Sequence, residues 1–141
     1  MRAQLFPGHE GCRAELVWDQ RRMGTVTSPG GHELRIGDES EWTPTRLFSA
    51  ALQSELMHAF LELAEDAGLE VLGYMSSGEV VSSDGKVRFE LAPCIVVGSK
   101  SDRVRAHALI HQAAASATSC SLVRDALALT PHIVATGRLS E

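Results

Sequence analysis

Glu55 and His58 form a Glu-x-x-His motif in the stretch SAALQSELMHAF, and Glu62 follows one helical turn later. On a helix this spacing places the side chains on one side, as in carboxylate-bridged metal sites. Those sites take ligands from several helices, whereas this sequence contains one such motif. The favoured interpretation is a polar helix edge, and the alternative is an acid/base or metal site built on Glu55 and His58.

A second candidate pair is His107 and His111, which have the spacing at which two imidazoles on one helix share a metal. No carboxylate of the HExxH type lies between them, because Ala108, Leu109 and Ile110 fill the gap. A solvated helix face is therefore favoured over a metal site. We expect no metal and no other cofactor.

The three cysteines, Cys12, Cys94 and Cys120, are an odd number without a close pair, so neither a disulfide framework nor a zinc ribbon is indicated. Cys94 lies in a strand-like run and is most simply a small buried hydrophobe. Cys120 lies at a helix junction, where backbone N–H groups are able to lower the pKa of a thiol. Cys120 is therefore a candidate for a reactive thiol in this chain.

The elements that position these residues read as a β-meander of about three strands, a long helix, a β-hairpin, a second helix and a final strand. The meander turns at Ser28-Pro29-Gly30-Gly31, and the hairpin turns at Ser83-Asp84-Gly85. We expect Ser101 or Asp102 to cap the second helix, SLVRDAL to form a short helical turn, and LTPHIVATG to form the last strand. The order predicts an α+β fold in one domain, residues 1–141.

The long helix is predicted from Pro44 to Ala67, with Thr43 as its N-cap and Gly68 as its C-cap. At 100° per residue, Glu55 falls in one apolar sector with Phe48, Ala51, Leu52, Ala59 and Leu63. A carboxylate in such a sector must be paired, protonated or in reach of solvent.

The composition of the sequence argues against two classes of partner, nucleic acid and the membrane. The formal net charge is −5 and no basic stripe appears, which argues against nucleic acid. No apolar run approaches eighteen residues, so we expect no membrane span. The start of the chain lacks the apolar segment of a secretory signal, which predicts a cytoplasmic protein.

Three stretches, in this order, resemble the OsmC/Ohr family of thiol-dependent hydroperoxide reductases, which act in the oxidative stress response: TPTRLFSAALQSELMHAFLELAEDAGLEVLGY, DGKVRFELAPCIVV and LVRDALALTPHIV. The resemblance spans roughly Trp18 to Val134. It implies an intertwined homodimer in which two sheets wrap two long helices, with two sites at the subunit interface.

The family's reactive residues map onto this chain with departures. Glu55 stands where the resemblance places the reactive cysteine, and Ser116 or Ala117 stands at the position of the second cysteine. Thr45 replaces a glutamate that helps to hold an arginine, and that arginine is Arg21 or Arg22.

The mapping leaves three hypotheses. The first is a non-peroxidase member that keeps an interfacial pocket for a small organic ligand, with Glu55 paired to an arginine. The second is a peroxidase with a relocated thiol, Cys120. The third is the acid/base or metal site on Glu55 and His58.

Overall fold

The computed structural model describes residues 14–137, which form two compact units, one ending at Leu47 and the other beginning at Phe48. The first unit contains a three-stranded antiparallel meander in the order β1-β2-β3. Its strands are β1 (Glu15–Gln20), β2 (Met23–Thr27) and β3 (Glu33–Gly37). The predicted meander is confirmed, and the turn between β2 and β3 lies at the predicted Ser-Pro-Gly-Gly segment.

The long helix, α1, spans Pro44–Asp66 and agrees with the prediction to within one residue. Thr43 caps its start, because the Thr43 Oγ1 accepts a hydrogen bond of 3.2 Å from the backbone N–H of Arg46. Gly68, with a φ of +67°, follows its end, and the Leu69 N–H donates back to the Ala64 carbonyl at 2.8 Å.

The second unit contains a four-stranded sheet built on a long hairpin, β4 (Val71–Ser83) and β5 (Lys86–Val97). The two-residue turn is Asp84-Gly85 and both residues have positive φ, as a type I′ turn requires. The predicted hairpin is confirmed, and its register shifts between Val71 and Gly73.

The end of the chain departs from the predicted single strand. It forms two short strands, β6 (Leu127–Leu129) and β7 (His132–Ala135), which both run parallel to β5. Pro131 lies between them and has no N–H to donate to a ladder, which explains the break.

Two helices complete the second unit, α2 (Lys100–Ser116) and α3 (Thr118–Leu122), followed by a 3₁₀ turn at Arg124–Ala126. The predicted caps of α2 are wrong. Ser99 is the N-cap, and its side chain accepts a hydrogen bond from the Asp102 N–H at 3.1 Å. The predicted helical turn is present, but it starts three residues earlier than expected.

The core of the second unit lies where α1 and α2 pack on one face of the sheet. From α1 it takes the row Ser49, Leu52, Leu56, Phe60 and Ala64. Ile95 and Val97 of β5 and Ile110 of α2 are fully buried against this cluster. This row differs from the sector predicted to be buried: Phe48, Ala51 and Glu55 are exposed in the single chain. No helix in the described part of the chain is long and apolar enough to cross a membrane.

Candidate functional site

A groove with a volume of about 680 Å³ runs between α1 and the junction of α2 with α3. We call it the junction groove. Its polar lining comes from α1, through Ser54, Glu55, His58, Glu62 and Asp66, and from the junction, through Ser116 and Thr118. Ala59, Leu63 and Ala117 supply apolar lining. The structure thus brings together three of the predicted site residues: Glu55, His58 and Ser116.

Next to this groove, the carboxylate of Glu55 accepts hydrogen bonds from Ser119. Both the backbone N–H and the hydroxyl of Ser119 donate to Glu55 Oε2, each at 2.7 Å. Ser119 is the second residue of α3, and Ala117, the N-cap of that helix, has no side-chain oxygen. Glu55 therefore supplies from α1 the cap that α3 lacks in its own sequence.

These two hydrogen bonds set the charge state of Glu55. The backbone N–H of Ser119, and then its hydroxyl, lower the pKa of the Glu55 carboxyl, and burial opposes them weakly. Glu55 is therefore ionised at neutral pH, with its charge directed at the start of α3.

Cys120 follows Ser119 directly and has no exposed surface. Its thiol lies 3.9 Å from the backbone carbonyl oxygen of Leu52. Burial, followed by the negative charge of Glu55, raises the pKa of the Cys120 thiol. The expected lowering of this pKa by backbone N–H groups is therefore not found.

Tyr74 lies near Cys120, and ionisation of the Cys120 thiol affects the pKa of Tyr74. Burial, with a smaller contribution from Cys120, raises the pKa of Tyr74 to about 12. Its hydroxyl is buried without a hydrogen-bond partner among the described residues, and its ring packs 5.8 Å from that of Phe60. The surroundings of Cys120 therefore favour neutral groups.

The predicted arginines are engaged within the first unit. Arg21 forms an ion pair with Glu39, and Arg22 with Asp38 at 3.3 Å. Both arginine side chains are largely exposed. Thr45 lies in the first turn of α1, ten residues before Glu55, and does not line the junction groove. The pairing of Glu55 with an arginine stays a prediction.

Of the remaining candidates, His58 lines the junction groove with Glu55, and the two histidines of α2 lie outside it. His58 is 3.9 Å from Glu62 on the exposed side of α1. His107 and His111 lie on the exposed side of α2 with ring centroids 4.8 Å apart. Cys12 lies outside the described residues. Between residues 14 and 137, no group of three or more His, Cys, Asp or Glu side chains is placed to hold a metal ion.

Ser119 is the residue that sequence reasoning missed. The family resemblance placed the second cysteine's position at Ser116 or Ala117, whereas the hydroxyl in contact with Glu55 belongs to Ser119. One feature of the sequence could have indicated this contact. Ala117 precedes α3 and has no side-chain acceptor for the first N–H groups of that helix, so these groups need an acceptor from elsewhere.

Comparisons with solved structures identify the fold. An OsmC-like protein of unknown function from Vibrio cholerae matches with a TM-score of 0.69 at 21% identity, over 86% of this chain and 97% of that one. The OsmC-like protein from Mycoplasma pneumoniae matches with a TM-score of 0.71 at 9% identity, over 87% and 95%. The chain has the OsmC/Ohr fold.

The organic hydroperoxide resistance protein OhrB of Bacillus subtilis has this fold too. It matches with a TM-score of 0.63 at 17% identity, over 86% of this chain and 97% of that one. No family model and no curated protein matches the sequence. The predicted α+β OsmC-like architecture is therefore confirmed by structural similarity.

Proposed function

We propose that this chain is a non-peroxidase member of the OsmC/Ohr family, a cytoplasmic homodimer that binds a small organic ligand in the junction groove. The observation that carries the proposal is the Glu55 carboxylate. It occupies the position that the resemblance gives to the reactive cysteine, and Ser119 holds it by two hydrogen bonds.

Position 55 carries no thiol that could react with a hydroperoxide. A hydroperoxide reductase oxidises a thiolate to a sulfenic acid, which then condenses with a second thiol. A carboxylate cannot follow that route, the group that contacts it is the hydroxyl of Ser119, and Ser116 at the second-cysteine position also carries a hydroxyl. Neither half of the disulfide cycle is available between Glu55 and the α2–α3 junction.

The state of Cys120 argues against a relocated peroxidase. The thiolate is the nucleophile in peroxide reduction, and a raised thiol pKa keeps Cys120 protonated at neutral pH. Its side chain is also fully buried, so a peroxide has no path to the sulfur without movement of α3.

The state of Glu55 argues against acid/base catalysis. A general acid or base works best when its pKa lies near the operating pH, and the pKa of Glu55 is lowered away from neutrality. One carboxylate oxygen already accepts two hydrogen bonds from Ser119. The contact stabilises α3 and leaves Glu55 poorly placed to move protons.

The dimensions and lining of the junction groove support ligand binding. Its volume of about 680 Å³ lies within the range of about 300–1,000 Å³ found for small-molecule sites. Apolar side chains, Ala59 and Leu63 among them, alternate with carboxylates and hydroxyls, which suits a small organic molecule with both apolar and polar parts.

Exposed apolar side chains support a homodimer. On α1, Phe48, Met57 and Leu61 are 38–43% exposed in the single chain, and within the first unit Leu16 and Trp18 are 66% and 72% exposed. Met57 and Leu61 lie one helical turn apart, and Leu16 and Trp18 lie two positions apart on β1, so each pair shares one exposed face, and apolar faces of this kind indicate a protein interface. Together with the resemblance, they favour a second copy of this chain as the partner, each copy contributing one domain of residues 1–141.

Native mass spectrometry of freshly purified protein tests the ligand. We expect a co-purified small molecule that is lost in Ala59→Trp, which fills the groove, and retained in Val104→Trp, which adds the same side chain at a 71% exposed position on α2. If the purified wild type carries no ligand, it is screened against a library of small organic compounds. The binding role would be contradicted if no compound binds the wild type more tightly than Ala59→Trp.

A further inference from the structure

Three side chains with soft or imidazole donors lie in one row across the second sheet. Met75 of β4 pairs with Cys94 of β5, and Cys94 pairs with His132 of β7. Met75 and Cys94 form an antiparallel pair, whose Cβ atoms lie about 4.5–5.5 Å apart on the same face. Cys94 and His132 form a parallel pair on neighbouring strands, which lie about 4.7–4.9 Å apart. A thioether, a thiol and an imidazole are therefore neighbours, and we call them the Met–Cys–His row.

The Met–Cys–His row projects away from the core. Ile95 and Val97 of β5 are buried against the helices, and Cys94 alternates with them on the opposite face. Met75 is 70% exposed, His132 is exposed and Cys94 is partly exposed. All three donors are thus within reach of an ion from solvent.

The side chains next to the row on the same face of the sheet are uncharged and small, while towards α2 His132 lines a groove with Arg103 and His107. On one side the neighbouring pairs are Gly73 with Val96 and Val96 with Val134, and on the other side Ser77 pairs with Ala92. None of these side chains carries a charge that would compete for an ion or repel it. The ladders on both sides of β5 also fix the spacing of the three donors, as a preorganised site requires.

The donor set selects the metal. Thiolate and thioether ligands select soft ions such as Cu(I), and imidazole also suits copper. Structural zinc sites instead take four ligands from Cys, His and carboxylates, and no such group exists between residues 14 and 137. Those zinc sites do not use methionine, so the Met–Cys–His row differs from a structural zinc site in the type of its ligands as well as in their number.

We propose that the Met–Cys–His row binds one Cu(I) ion. The ion arrives as Cu(I) and no electron is transferred. The Cys94 thiol releases its proton to solvent and a Cu–S bond forms, while the Met75 sulfur and one ring nitrogen of His132 each donate a lone pair. The site shares no residue with the junction groove and is independent of the ligand proposed there.

A competition titration under anaerobic conditions tests this site. The full chain is titrated against the coloured Cu(I)–bicinchoninate complex, and we expect the wild type to withdraw one equivalent of Cu(I). Cys94→Ser should abolish that withdrawal. Met75→Leu and His132→Gln should each weaken Cu(I) affinity at least about tenfold. An equal concentration of Zn(II) should leave the Cu(I) occupancy unchanged.

The other cysteines provide matched controls. Cys12→Ser and Cys120→Ser should bind Cu(I) like the wild type, since neither residue belongs to the row. Circular dichroism confirms that each surface variant is folded. The proposal is overturned if Cys94→Ser retains the site, or if Met75→Leu and His132→Gln bind as tightly as the wild type, since the copper would then be held by a single thiol.

Discussion

The carboxylate of Glu55 caps a helix that begins far from it in the chain, since its partner, Ser119, is 64 positions later. Three observations converge on this role. Glu55 is exposed in the single chain, its Oε2 accepts two hydrogen bonds from Ser119, and the N-cap position of α3 is an alanine. The free energy of this contact comes from the charge-assisted hydrogen bonds and from the favourable position of an anion at a helix start.

Removing the cap should lower stability by the amount typical of an N-cap. Glu55→Ala is expected to reduce the free energy of unfolding by roughly 1–2 kcal/mol. Glu55→Gln should cost about half as much, because its amide oxygen still accepts from Ser119 without the charge. Urea denaturation followed by circular dichroism measures both values. Glu62→Ala is the matched control, since Glu62 is a mostly exposed groove carboxylate without a contact to α3. Equal losses in Glu55→Ala and Glu62→Ala would refute the capping role.

The same contact should be sensitive to acid. The pKa of Glu55 in the folded protein lies below its ordinary value of 4.5. The stabilisation is therefore fully present above pH 4.5 or so, and it is lost as the pH falls through the folded pKa. We expect the difference in Tm between the wild type and Glu55→Gln to be constant from pH 7 to pH 5 and to shrink below that. A difference that grows on acidification would mean that the sign of the pKa shift is wrong.

Sequence reasoning could identify Glu55 but not its partner. A carboxylate among Ala51, Leu52 and Ala59 is visible from helical periodicity alone. The contact with Ser119 depends on how α3 approaches α1, and no local pattern encodes that approach. The exposure of Glu55 was missed for a related reason: the buried row of α1 is centred on Leu52 and Leu56, and the prediction placed the centre of the face too close to position 55.

At the scale of elements, α3 depends on tertiary contacts for its order. It has five residues, and isolated helices of that length are not stable in water. Its attachment to the rest of the unit includes the Glu55 contact on one side and the buried Cys120 on the other. Loosening the first contact should therefore make the second group accessible.

Thiol labelling tests this dependence. In Glu55→Ala, Cys120 should react with an uncharged maleimide at least about tenfold faster than in the wild type, because about 1.4 kcal/mol of lost local stability raises the open population tenfold. Peptide mapping by mass spectrometry assigns the label to Cys120, and Cys94 serves as an internal reference in the same sample. Unchanged labelling of Cys120 in Glu55→Ala would show that α3 is held by its other contacts.

Elements with a local signal were predicted well. The Asp84-Gly85 turn, the Thr43 cap and the Gly68 stop each use residues whose backbone chemistry selects one structure. Where several residues carry the same signal, the sequence could not choose. Ser101 and Asp102 were predicted as caps, but the N-cap is Ser99, which belongs to the same group of residues that favour N-caps. The closing strand was predicted as continuous. Pro131 interrupts it because the segment pairs with β5 and Pro131 has no N–H for that ladder, and this pairing is not visible in the local sequence.

At the scale of the whole molecule, the account predicts a dimer. Multi-angle light scattering should give a mass of twice 15.2 kDa at micromolar concentration. The double variant Met57→Glu/Leu61→Glu places charges on the exposed apolar side of α1 and should shift the mass towards the monomer. A wild type that remains monomeric at about 100 μM, roughly a hundredfold above a micromolar Kd, would rule out a stable homodimer.

The central claim, that the OsmC/Ohr fold here has lost its thiol peroxidase chemistry, is tested most directly by peroxide turnover. Cumene hydroperoxide consumption is followed by stopped flow with a dithiol reductant, using an active organic hydroperoxide resistance protein as the positive control. We expect the wild type to match both the protein-free rate and Cys120→Ser. Turnover well above the protein-free rate that is lost in Cys120→Ser would contradict the account and make Cys120 the reactive thiol.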